Sequence, residues 1–139
     1  MINLDVFEYF GPQARLHHIG MAVKSIIAIA PNAERFVDPL QKVNVAFISV
    51  GDVVWELVEP LDDTSPVKNY ISSKHSLYHL CLEVPDLEEA VSIAKKQKFY
   101  VIRKPKPAVA FQGRRIVWLF HPVLGLFEIL EKSHTMHID

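Results

Sequence analysis

Two histidines and two glutamates occupy matching places in the two halves of this 139-residue sequence. His18 opens the apolar run Ile19-Gly20-Met21-Ala22-Val23, and His79 opens Leu80-Cys81-Leu82-Glu83-Val84, each five residues ahead of a valine. Successive side chains of a strand point to opposite faces, so His18, Gly20 and Ala22 share one face, and His79, Cys81 and Glu83 share its counterpart. Glu56 and Glu128 stand in the middle of Val54-Trp55-Glu56-Leu57-Val58 and Leu126-Phe127-Glu128-Ile129-Leu130. A lone charge inside an apolar strand is costly and needs compensation. Two imidazoles and two carboxylates brought together would bind one divalent ion of the Zn, Co, Ni, Mn or Fe kind rather than a thiolate-preferring one. An octahedral ion with four protein ligands keeps two positions for water or a bidentate oxygen ligand, as a Lewis acid that stabilises an enolate requires. Taken singly, each of the four residues would be read as packing or as part of a solvated face; their repetition is what points to a site. His17, by alternation on the face opposite His18, and His75 and His121, in a loop and a turn, are read as structural. Cys81, two residues beyond His79, is read as a small packing residue on the rim of the site.

The elements that must position these residues repeat as well. After the first strand, Ser25 caps a helix that Pro31 limits to about two turns. Three β-rich segments follow, Glu34 to Asp38, Val43 to Val50 and Val53 to Glu59, divided by Asp38-Pro39 and Gly51-Asp52. Pro60 to Ser76 reads as a connecting loop with a helical turn around Val67 to Ile71. In the second half, Asp86 caps a helix, with Glu89 as its capping-box partner and Leu87, Ala90, Val91 and Ala94 on one apolar face, running to about Lys98. Then come a strand from Tyr100 to Arg103, a loop holding Pro105 and Pro107, a strand from Arg115 to Phe120, a turn at His121 to Gly125 and a strand from Leu126 to Glu131. The expected fold is α+β: two βαβββ modules forming a curved, cup-shaped mixed sheet with helices on its convex face. Residues 1–139 form one domain, with module 1 at about 16–61, a linker at about 62–76 and module 2 at about 77–131. Leu80, Leu82, Trp55, Leu57, Phe127 and Ile129 face away from the site and belong to the core. Met1 to Arg15 is an extended lead-in with a turn at Gly11-Pro12, and Lys132 to Asp139, with His134 and His137, is a loosely placed tail.

Composition narrows the function classes. Half of the residues are hydrophobic, and 15 basic against 16 acidic residues leave a net charge of −1. With no Lys/Arg run, neither a nucleic-acid nor a membrane partner is expected. The one cysteine cannot form an internal disulfide and no signal-peptide pattern opens the sequence, so a cytoplasmic protein is expected. Exposed sheet edges and a short first helix point to a homodimer.

The order His18, Glu56, His79, Glu128 on paired strand-helix-strand-strand-strand halves resembles the vicinal oxygen chelate superfamily, which includes glyoxalases, bleomycin-resistance proteins and dioxygenases. Within it the wording is most similar to the methylmalonyl-CoA epimerases, through Leu16-His17-His18-Ile19-Gly20-Met21-Ala22-Val23, Gln41-Lys42-Val43, Glu56-Leu57-Val58-Glu59-Pro60-Leu61, Ser65-Pro66-Val67 and Phe120-His121-Pro122. The resemblance implies that His18, Glu56, His79 and Glu128 bind a divalent metal, that Glu128 is also the proton-transfer base, and that the substrate is a small molecule of the acyl-CoA or other thioester class. The sequence departs from the epimerases where their second glutamate follows a Gln-Gly-Val turn by two residues: that place holds Val45. One carboxylate then serves the reacting carbon instead of two opposed ones, closer to the logic of glyoxalase I. The expected activity is that of a metal-dependent isomerase or lyase. The alternative is a non-catalytic, antibiotic-like small-molecule binder of the same fold, and the retained ligands argue against it.

Overall fold

The computed structural model describes residues 5–133. Eight strands build one sheet: β1 (Arg15–Ala22), β2 (Phe36–Asp38), β3 (Val43–Val50), β4 (Val53–Pro60), β5 (Leu77–Val84), β6 (Tyr100–Pro107), β7 (Arg115–His121) and β8 (Gly125–Glu131). Their order is β2-β3-β4-β1-β5-β8-β7-β6. Each module contributes four neighbouring strands, and the modules join through the antiparallel β1–β5 pair. β1 runs parallel to β4 and β5 parallel to β8, so each histidine-bearing strand lies beside the glutamate-bearing strand of its own module. The sheet curls into a half-barrel, and its mixed topology is the expected one.

The alternation of the strands sorts the core into two sides. On the convex side, α3 (Leu87–Lys96) lays Leu87, Ala90 and Ala94 against Val84, Val117, Leu119 and Ile129. Asp86 caps it by accepting a hydrogen bond from the Glu89 backbone N–H at 3.0 Å. α1 (Ile26–Ile29) is a single turn capped by Ser25, and it seats Ile26 on Ala46 and Leu57. Leu57 and Ile129 are fully buried as expected, and Leu82 and Phe127 pack against the α3 cluster from half-buried positions. Trp55 and Leu80 are also only half-buried, because the short first helix does not reach across the convex face. On the concave side the linker turn α2 (Lys68–Ser72) brings Tyr70 and Ile71 to Ala22, Val43, Val45 and Val58.

Several boundaries differ from the sequence expectation. β2 is only three residues long. β6 continues through Pro105 to Pro107 where a loop was expected; as an edge strand it can carry prolines, whose missing N–H groups cost nothing on the unpaired side. α3 stops at Lys96, where Gln97 caps it and Lys98 turns left-handed at φ 70°. Lys42 holds φ 60° in the β2–β3 turn, a conformation glycine adopts more readily. His134 and His137 lie outside the described residues.

The lead-in has a definite seat. Phe10 is buried, with its ring 4.9 Å from that of Phe99 and 5.5 Å from that of Phe127, and Tyr9 meets Phe99 edge-on at 5.8 Å. The segment therefore straps the open end of the α3 cluster. Replacing Phe10 by Ala should lower stability in urea unfolding by about 3 kcal/mol, the usual scale for emptying a buried phenylalanine site. A loss under about 1 kcal/mol would show that the strap is not part of the core.

Candidate metal centre

Four strands place one polar side chain each on the floor of the cup. His18 lies on β1, Glu56 on β4, His79 on β5 and Glu128 on β8, and all four are buried. Pairing explains the convergence: Gly20 stands opposite His79, His18 opposite Cys81, Gly20 beside Glu56, and Cys81 beside Glu128. Each imidazole thus lies over a small residue of the other module. A side chain on Gly20 would collide with the ring of His79, so the glycine two residues after His18 is the space the second histidine occupies. Cys81 has the matching place under His18, which agrees with its reading as a packing residue.

The four ligand-type atoms face one another closely. His18 Nε2 is 3.2 Å from His79 Nε2, 3.5 Å from Glu56 Oε1 and 3.1 Å from Glu128 Oε1. His79 Nε2 is 3.5 Å from Glu56 Oε1 and 3.3 Å from Glu128 Oε1. Ligands bonded to one ion at roughly 2.1 Å stand about 3.0 Å apart across an octahedral edge and about 3.4 Å apart across a tetrahedral one. The observed separations, 3.1–3.5 Å, match this range to within about 0.1 Å. Glu128 Oε1 is fully enclosed and makes no well-formed hydrogen bond despite two imidazole nitrogens nearby. A buried acceptor left in that condition fits a group aimed at a cation better than one aimed at a neighbouring side chain. The nitrogen and oxygen donor set, without sulfur, suits the same borderline divalent ions as the sequence reading.

Electrostatics supports this reading. Burial pulls the His18 imidazole down, but the Glu128 and Glu56 carboxylates beside it outweigh burial and push its pKa up to about 9. Burial acts to raise Glu128, yet His18 and His79 hold it well below the usual carboxylate range. Without an ion, then, a proton on His18 takes over part of the compensation.

The walls complete a cavity of about 350 Å³ lined by Glu56, His79 and Glu128 together with Val45, Tyr78, Phe111 and Trp118. His18 lies below this lining, stacked on Phe111 at 5.7 Å. Trp118 meets His79 edge-on at 4.7 Å and donates from Nε1 to Gln41 Oε1 at 3.0 Å. Gln41 in turn donates to buried Asp38 from its side chain at 2.7 Å and from its backbone at 3.0 Å. This chain ties β7 to the β2–β3 turn across the mouth, and no sequence spacing announced it. Val45 lies on the cavity wall. His121, expected in the turn, is the last residue of β7, and its Nδ1 accepts the backbone N–H groups of Val123 and Leu124 in the turn that follows. His17 is not on the far face: it sits at a bulge in β1 and touches His18.

A curled sheet of two like modules carries at their junction a buried His/Glu quartet that could hold a metal ion. The Glyoxalase/Bleomycin resistance protein/Dioxygenase superfamily model matches residues 17–118, and the chain belongs to that family. The chain is 32% identical over 82 residues to the mitochondrial methylmalonyl-CoA epimerase of Dictyostelium discoideum, covering 58% of this chain and 48% of that protein. It is 27% identical over 119 residues to the human mitochondrial methylmalonyl-CoA epimerase, covering 78% and 66%. It therefore spans about half to two thirds of the length of these relatives. A solved methylmalonyl-CoA epimerase of Streptomyces coelicolor in complex with 2-nitronate-propionyl-CoA superposes with a TM-score of 0.69 at 20% identity, covering 86% of this chain and 95% of that one, and so shares the fold.

The pKa shifts give the ion-free protein a defined pH profile. His18 is raised from 6.5, so its contribution to stability is full below about pH 6.5 and is lost as pH rises through about 9. Glu128 is lowered from 4.5, so its contribution is present above that value and is lost as pH falls. Protein stripped of divalent ions should melt highest between about pH 5 and 6.5. A flat melting temperature from pH 6 to 9.5 would mean that the His18 pair with the carboxylates is not formed.

Proposed function

We propose that the chain is a metal-dependent isomerase of the glyoxalase superfamily, epimerase-like, acting as a cytoplasmic homodimer on an acyl-CoA or other thioester. It would move a proton on the carbon beside a carbonyl through an enolate. The observation that carries this reading is the convergence of His18, Glu56, His79 and Glu128 on the floor of a single cavity. These four would hold a divalent ion, which when bound supplies the Lewis acidity that lowers the pKa of the substrate C–H.

The remaining chemistry belongs to the side chains. Glu128 is kept unprotonated by His18 and His79, and it lines the cavity, so its carboxylate is placed to accept the substrate proton. Tyr78, Phe111 and Trp118 surround the reacting carbon with rings and keep water from a carbanion-like centre. The Tyr78 hydroxyl stays protonated because burial raises its pKa far above neutrality. Val45 offers no proton acceptor, so Glu128 alone would remove and return the proton on one face; return to the same carbon gives exchange without inversion, and net isomerisation would require return to the adjacent carbon, as in the logic of glyoxalase I. The superfamily's antibiotic-binding reading gives no reason to bury two carboxylates and two imidazoles against one another.

Both sheet edges are blunted, β2 by its length and β6 by Pro105, Arg103, Lys104 and Lys106, so the dimer would use a surface other than edge pairing. Sedimentation at micromolar concentration should give a dimer, and a monomer removes this part of the reading. Solvent deuterium should enter a 2-methyl-acyl thioester in the presence of protein loaded with a divalent ion. Glu128→Gln should slow that exchange by ~10² or more, the common scale for a general base. The product should keep part of the substrate's own hydrogen. Efficient racemisation with full exchange on both faces would show that another residue supplies the second base. Bound ion with no exchange into thioesters or hemithioacetals would favour the binding protein.

A further inference from the structure

β1 and β5 carry one irregularity each, in equivalent places. Between Leu16 and His18 the β1–β5 register advances two residues on β1 and one on β5, leaving His17 as the extra residue. Between Gly20 and Met21 it advances one on β1 and two on β5, leaving Tyr78 extra. In both modules the bulged residue immediately precedes a histidine of the quartet. A bulge breaks the strict alternation of faces and re-aims a side chain. Tyr78 thereby joins the cavity wall, with its ring 4.9 Å from that of His79. His17 is turned toward the other histidine, its Nδ1 2.8 Å from His18 Nδ1 and its ring edge-on to Phe111 at 5.4 Å.

That contact decides the protons of both rings. His18 presents Nε2 to Glu56, Glu128 and His79, so Nε2 is its ligand-type atom. A neutral imidazole that ligates through Nε2 carries its hydrogen on Nδ1. Among the described residues the acceptor in place for it is His17 Nδ1 at 2.8 Å, which must then hold a lone pair, with the His17 hydrogen on Nε2. His79 has no such arrangement, since its Nδ1 is buried without a hydrogen-bond partner.

We infer that His17 is the positioning residue of the site, a neutral imidazole whose Nδ1 accepts the His18 Nδ1 hydrogen and thereby fixes the tautomer and ring orientation with which His18 meets a divalent ion. This rests on the metal reading above. Partners of this kind raise the basicity of a ligating imidazole, and their loss commonly costs 10–100-fold in metal affinity.

Two substitutions separate the hydrogen bond from the packing. His17→Phe keeps a ring against Phe111 and removes the acceptor, whereas His17→Asn places an amide oxygen near the Nδ1 position and loses the ring. Co(II) titration followed by its visible spectrum should show His17→Phe binding about 10–100-fold more weakly than the unaltered protein and His17→Asn within a few-fold of it. Melting of the ion-free proteins should give the reverse order, with His17→Asn the less stable. Equal Co(II) affinity for His17→Phe and the unaltered protein overturns the inference, and so does a loss in His17→Asn as large as in His17→Phe. If the unaltered protein takes up no Co(II), the metal reading fails. The hydrogen bond is then still decided by imidazole nitrogen NMR, which should find the His17 hydrogen on Nε2; finding it on Nδ1 overturns the inference.

Discussion

Four ionisable side chains are buried against one another at the junction of the two modules, and the rest of the structure is arranged around that cost. Carboxylates removed from water need a counter-charge or several well-formed hydrogen bonds. Glu128 Oε1 has neither in full. The sheet answers by bringing each carboxylate next to both imidazoles, which requires β1 to lie between β4 and β5, and β5 between β1 and β8. It also requires small residues beneath the rings, and Gly20 and Cys81 stand where a larger side chain would force the modules apart. The two parallel pairs within the modules and the antiparallel pair between them are therefore what the quartet demands of the topology.

Much of this could be read from the chain because a strand has a period of two. Once His18 and His79 were set on a face, Gly20, Cys81, Glu56 and Glu128 followed, and so did the convex placement of Leu57 and Ile129. The same rule misplaced His17. One extra residue in β1 shifts a side chain by a face, and nothing in Leu16-His17-His18 marks the insertion, since the register of β1 is set by β5 some sixty residues away. Pro105 and Pro107 misled for a related reason: proline forbids an interior strand, but only the assembled sheet shows that β6 is an edge. The seat of Tyr9 and Phe10 likewise depends on an aromatic cluster contributed by Phe99 and Phe127 far along the chain.

The cavity differs from the floor beneath it. Val43, Val45 and Val58 make its module 1 side apolar, while Trp118, Gln41 and Asp38 link the modules across the mouth. A hydrogen-bonded chain of three side chains has a larger effect on geometry than on stability, because each bond exchanges for one to water and contributes about 1 kcal/mol net. Its effect is to hold the β2–β3 turn, where Lys42 already takes a left-handed conformation, against β7. The width of the mouth is thus set jointly by both modules, as the quartet is.

The two histidines, equivalent by sequence, are not equivalent by support. His18 is gripped by the His17 hydrogen bond, by stacking on Phe111 and by the edge of Phe47 at 5.8 Å. His79 rests on Gly20 between the edges of Trp118 and Tyr78, with Nδ1 unpartnered, and lines the cavity beside Glu128. Oriented donors fix a ligand, and their absence leaves it able to adjust. The site therefore has one side, His18 behind Phe111, held by a hydrogen bond as well as by packing, and another, His79 on the cavity wall, held by packing alone at Nδ1. Glu128, on β8 beside β5 and opposite Trp118, has Oε1 3.1 Å from His18 Nε2 and 3.3 Å from His79 Nε2, and so ties the two sides together.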